Sequence, residues 1–101
     1  MQQIPQRTKD PSAKKVYSFD WENDLYAGTS IISSAWSVEP AIAGDTPGVA
    51  KFGTDTVTGY VTACGFEGGA LGETCFLRND VTITPNGEVL VKRIELRIEL
   101  E

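Results

Sequence analysis

The stretch that decides the fold is Arg93-Ile94-Glu95-Leu96-Arg97-Ile98-Glu99-Leu100. Charged and aliphatic residues alternate through it without a break. Glutamate, leucine and arginine are good helix formers, so helix is the competing assignment. At 100° per residue, however, Ile94 and Leu96 would point to nearly opposite sides of a helix. A strand puts Ile94, Leu96, Ile98 and Leu100 on one face and Arg93, Glu95, Arg97 and Glu99 on the other. The spacing therefore predicts a half-buried strand, read here as running from Glu88 to Leu100.

Working back from that strand, Thr84-Pro85-Asn86-Gly87 supplies a turn, with Asn-Gly at positions that tolerate left-handed geometry. Before it, Glu73–Thr84 and Thr56–Phe66 are the clearest β-rich runs, joined by Glu67-Gly68-Gly69-Ala70-Leu71-Gly72. Ser30–Glu39 is a further strand that Pro40 ends; period two puts Ile32, Ser34, Trp36 and Val38 on one face. Residues 40–48 form a loop rich in proline and glycine, Val49–Phe52 a short strand, and Val16–Trp21 the first strand. About seven strands without a helix predict an all-β, immunoglobulin-like, antiparallel two-sheet sandwich, since a single sheet would leave its apolar face wet. Its expected core is Trp36, Val38, Leu77, Val81, Ile83, Ile94, Leu96 and Ile98.

Residues 1–14 show no periodicity and are read as an extended arm, with residues 15–101 as the folded domain. Within the net charge of −5, residues 1–15 carry Arg7, Lys9, Lys14 and Lys15 against Asp10 alone, which leaves the remainder at −8. An acidic body disfavours nucleic acid, whose binding rests on neutralising phosphates. The basic arm suits an acidic neighbour, either another protein or a second copy. No apolar run is long enough to cross a bilayer, and no secretory h-region follows Met1, so membrane partners are not expected and assembly in a cytoplasm is.

The chain has no histidine, which removes the commonest general base and metal ligand. Cys64 and Cys75 lie symmetrically about the glycine-rich loop, and a hairpin centred there would set them opposite each other. They are either a cross-strand disulfide or two reduced, buried thiols. Asp20, Glu22 and Asp24 alternate along one face and offer oxygen ligands for a cation, but the calcium-loop spacing is missing, and a solvated strand end is the plainer reading. The double glycine lacks the lysine and the following helix of a phosphate loop. Trp36 is expected inside, whereas Trp21 is open to either reading. An exposed Trp21 with Tyr26 and Tyr60 would offer sugar-stacking rings, and its burial would remove that possibility. No catalytic residue and no cofactor site is expected.

Taken together, these elements resemble a family of small tailed-phage virion proteins, the fiber-tail adaptors, which have an immunoglobulin-like fold. The likeness is carried by Phe19-Asp20-Trp21 with Leu25, and by Ser33-Ser34-Ala35-Trp36-Ser37-Val38-Glu39-Pro40. It continues through the Glu67–Gly72 turn, Leu77-Arg78-Asn79-Asp80-Val81-Thr82-Ile83-Thr84, and Asn86-Gly87 with the strand ending at Ile98. Cys75 stands where the family pattern has tyrosine, and Thr29 or Ser30 where it has aspartate. The resemblance spans residues 16–100 and implies a structural virion role, assembled in the host cytoplasm, with tail, neck or fiber proteins and copies of itself as partners. A capsid decoration or neck protein is the neighbouring alternative, and a carbohydrate-binding module the distant one. Ile4, Arg7, Lys9 and Lys14 in the arm and Gly68, Gly69 and Leu71 in the loop are the expected partner contacts.

Overall fold

A computed structural model describes residues 4–101. Its strands are β1 (Gln6–Lys9), β2 (Lys14–Asp20), β3 (Ile31–Pro40), β4 (Val49–Thr58), β5 (Val61–Gly68), β6 (Thr74–Ile83) and β7 (Glu88–Ile98). They form two sheets, ordered β1-β7-β6-β3 and β2-β5-β4. Among the described residues the helical content is a single 3-10 turn at Glu22–Asp24. The alternating tail is indeed a strand: Ile94, Leu96 and Ile98 are buried, and the strand stops before Leu100, which is exposed.

The inner faces of both sheets meet in one core. Tyr17, Cys64, Phe66 and Val49 come from the three-stranded sheet, and Trp36, Cys75, Leu77, Ile94, Leu96 and Ile98 from the other. Phe19 stacks on Trp36 at a centroid distance of 5.4 Å and bridges to a second cluster of Trp21, Val81 and Ile83. Each such fully buried side chain is worth roughly 1.5–3 kcal/mol in transfer free energy. Val38 packs against this core only half-buried.

Several expectations are corrected. A register shift in β3 between Ile31 and Ser33 reverses the pleat, so Ile31 packs on Trp21 while Ile32 points outward, 61% exposed. The Thr56–Phe66 run is not one strand: the chain folds back at Gly59-Tyr60, and β4 pairs with β5 antiparallel. The strand expected to be short, β4, instead has ten residues, with an irregularity between Phe52 and Thr56. The glycine loop is not a hairpin either, because it carries the chain from one sheet to the other. Cys64 consequently faces Tyr17 in one sheet and Cys75 faces Leu96 in the other, both buried and free.

Among the described residues the ladders are antiparallel except one. Gln6–Lys9 pairs in parallel with Glu95–Ile98. Residues 6–9, read from the sequence as part of an arm awaiting a neighbour, are held by the chain's own last strand. The turn after Lys9 then moves the chain across to the second sheet, where β2 pairs with β5.

Side chains close the open edge of β3 against β4. Asp55 Oδ2 accepts from Trp36 N at 3.0 Å, and Lys51 Nζ donates to Trp36 O at 2.9 Å. One ion-paired lysine and aspartate thus stand in for a neighbouring strand, which leaves this edge less open to foreign pairing.

Candidate docking surface

Strand directions bring three connections to one end of the molecule: the turn after β1, the 41–48 loop between β3 and β4, and the 69–73 loop between β5 and β6. The registers Lys9 with Ile98, Pro40 with Cys75, and Val49 with Gly68 fix this arrangement. The two longer loops are tied to each other. Glu73 Oε2 accepts from Gly48 N at 2.8 Å and Oε1 from Ala70 N at 3.0 Å. Neither orphaned backbone donor is left to the solvent, so the carboxylate holds both loops in one arrangement.

Glycine makes the close approach possible. A Cβ on Gly68 would lie 2.8 Å from Gly48 O, and one on Gly69 would lie 2.8 Å from the Ile98 side chain. Both residues also have positive φ, at +80° and +106°, which disfavours any side chain there. Their role is to let the loops pack, while the contacts are left to the residues they present. Leu71 projects from one loop, 62% exposed, and Ile42 from the other, 68% exposed. Beside them a groove runs along Pro40, Ile42, Asp45, Pro47 and Glu73.

Of the expected contact residues, Gly68, Gly69 and Leu71 lie at one of these loops, Lys9 and Lys14 flank the turn after β1, and Ile4 and Arg7 lie outside this end. Lys9 is fully buried, and its ammonium donates to Asp10 O at 2.8 Å and Ala13 O at 2.7 Å. Asp10 accepts from Ser12 N and Glu101 N, which lowers its pKa from the usual carboxylate value and binds the turn to the last residues. Ile4 and Arg7 are exposed along the flank, where Arg7 Nη1 donates to Gln6 O. Lys14 sits on β2, 3.9 Å from Glu67. Leu71 is the aliphatic side chain of the seven that is displayed at the tip. Ile42 and Asp45 were not singled out from sequence; a lone isoleucine in a proline- and glycine-rich loop was the available signal.

On the outer face of the four-stranded sheet, Glu39 bonds Arg93 Nε at 2.7 Å and Arg78 Nη1 at 3.1 Å, and Arg78 also pairs with Asp80. The Arg93 hydrogen bond foremost, opposed by burial and joined by Arg78, holds the Glu39 carboxyl below its ordinary value. This network is satisfied within the face it covers.

The other candidate chemistry resolves structurally. Burial first, and the Asp55 carboxylate second, push the Cys64 thiol up to about 12. Burial and then Glu73 push Cys75 up to about 11. Neither thiol is a nucleophile at neutral pH, since reactivity belongs to the thiolate. Asp24 pairs with Lys92, and Asp20 Oδ1 accepts from Glu22 N at 3.0 Å. Among the described residues no group of three or more potential metal ligands gathers. Trp21 is 1% exposed, which removes the stacking surface it would share with Tyr26 and Tyr60 and with it the carbohydrate-binding alternative. Among the described residues no helix is long and apolar enough to cross a membrane.

One family model matches the chain over residues 9–97, that of the Podophage GP4 fiber-tail adaptor protein gp77, and the chain belongs to this family. The match begins at Lys9, earlier than the resemblance read from sequence, and so takes in the turn that joins the first strand to the domain. No curated protein and no solved structure matches the chain significantly.

Proposed function

We propose that this member of the fiber-tail adaptor family is a non-enzymatic structural protein of a tailed-phage virion, joining tail and fiber or neck components by protein–protein contacts. The observation that carries the reading is the family match across residues 9–97, nearly the whole chain. The surface fits it: rigid loops display aliphatic side chains at one end, while the thiols that a catalytic role would use are buried and protonated. Nucleic acid and membrane are not partners in this reading, and neighbouring copies are.

The fold is best described as immunoglobulin-like. If β1 to β7 are lettered A to G, one sheet reads B-E-D and the other C-F-G with A added at the G edge. That is the strand partition of the seven-stranded immunoglobulin sandwich, with its first strand moved to the opposite sheet. A buried tryptophan on strand C is a hallmark of that fold, and Trp36 on β3 occupies that position. Cys64 and Cys75 do not reproduce the inter-sheet disulfide, and stacked aromatic rings fill the centre instead.

The test is a phage stock grown without this chain. Gradient-purified particles should retain heads and tails but lack fibers, and the purified chain should restore fiber attachment. Particles that carry a full set of fibers without the chain would end the adaptor reading.

A further inference from the structure

We propose that the end formed by the 41–48 and 69–73 loops is the seat for a different, basic virion protein, one that lays an aliphatic side chain between Ile42 and Leu71 and a lysine or arginine beside Asp45. The inference rests on the adaptor reading and specifies which surface serves it and what chemistry it takes.

The first argument is preorganisation. Exposed isoleucine and leucine on flexible loops would lose much of their contact energy to ordering. Here the Glu73 carboxylate locks Gly48 and Ala70 together, and Gly72 N donates to Ile98 O at 2.9 Å, which anchors the second loop to β7. Pro40 and Pro47 stiffen the first loop at both ends. The two apolar side chains are therefore presented at little entropic cost to binding.

The second argument is charge. Among the described residues, the charged ones lining the groove are Asp45 and Glu73, and no cation lines it. Glu73 is already engaged by two backbone donors, so Asp45 is the carboxylate left to meet a partner.

The third argument selects among occupants. A second copy would have to supply the cation, and this chain has few to offer. Lys14, Lys15, Lys51, Arg78, Lys92, Arg93 and Arg97 each lie within 4 Å of a carboxylate of their own chain and Lys9 is buried, which among the described residues leaves Arg7 on the flank. Two such acidic ends would also repel if they met, so contacts between neighbouring copies belong on another face. A basic, unrelated chain meets neither obstacle.

The experiment uses tails and fibers purified separately from phage lacking this chain, each immobilised and titrated with the full-length protein. Wild type should bind both, and the contact made at this end should weaken as salt rises from 50 to 500 mM, because attraction between exposed charges is screened. Ile42→Asp with Leu71→Asp should melt at the wild-type temperature, since both sites are solvent-facing, and should bind at least about tenfold more weakly. Asp45→Lys should also melt normally, weaken binding and flatten its salt dependence.

An I42D/L71D variant that binds as tightly as wild type overturns the proposed surface and leaves the adaptor reading standing. Loss of binding in that variant with no effect of salt or of Asp45→Lys overturns the basic partner. Self-association of the chain alone that I42D/L71D abolishes puts a second copy in the seat instead. Failure of wild type to bind either component overturns this proposal together with the adaptor reading.

Discussion

Trp21 follows β2, with its indole N–H shared between Thr62 Oγ1 at 3.1 Å and Asn79 Oδ1 at 3.2 Å. Thr62 in turn donates to Asn79 at 2.6 Å, and Asn79 Nδ2 reaches Ser34 Oγ at 2.8 Å, so one buried polar chain spans both sheets. Trp21→Phe keeps an aromatic body but leaves buried acceptors short of a donor. It should cost about 1–3 kcal/mol in urea unfolding; a loss below about 0.5 kcal/mol would mean the network adds nothing. The cysteines give a second outcome at this scale. Their folded pKa values are raised, so the stability they contribute is fully present below the unfolded value of 9.0 and is lost as pH rises toward 11 and 12. Unfolding midpoints should therefore drop above pH 9, and iodoacetamide at pH 8 should label the thiols only after denaturant is added. Labelling of the native protein would contradict their burial. Glu39 works in the other direction. Its folded pKa is depressed, so its contribution is present above the ordinary 4.5 and is lost as pH falls through the lower folded value. Glu39→Gln should flatten the acid limb of a stability–pH curve, and an unchanged limb would show that the arginine contacts carry no weight.

At the scale of elements, what was legible followed from periodicity. The alternation of the last strand named its own inward face, and Leu77, Val81 and Ile83 lie inward on β6 by the same period of two. Irregularities were not legible. One extra residue near Ile32 reverses a face, and nothing in Ser30-Ile31-Ile32-Ser33 marks where the partner strand will shift. Gly59 was hidden inside a run of threonine, valine and tyrosine that reads as a single strand, although its φ of +61° makes it the corner between β4 and β5. The glycine-rich loop was found, but sequence does not tell a hairpin from a crossing between sheets, and the cysteine geometry inferred from it fell with that choice. The loop is also where a substitution should tell most. Gly69→Ala adds a left-handed conformation costing about 1–2 kcal/mol to a clash with Ile98 that something must move to relieve. Thermal melting should fall by several degrees. A neutral result would mean that the loop and β7 are not packed as described.

The whole molecule is elongated, with principal extents of 43 × 26 × 21 Å. The loop end and the Thr84–Gly87 turn, where Gly87 N donates to Ile83 O, lie at opposite ends of the β6–β7 ladder. A shape with two distinct ends suits a connector, because each end can take a different partner without overlap. The docking end itself was only partly legible from sequence. Leu71 was visible in its loop, but Ile42 and Asp45 join it only because β3 and β4 belong to different sheets and return their loop to the same edge. The arm was legible in composition and not in destination, since its parallel partners on β7 lie 89 residues away along the chain.

In the proposed role this chain holds tail and fiber together. The most direct measurement is a three-component capture, in which immobilised tails from phage lacking the chain are offered fibers with and without the purified protein. Fibers retained only when the chain is present, with the chain found in the same complex, is the expected result. Fibers retained equally without it, or a chain that binds one component and excludes the other, would contradict the claim.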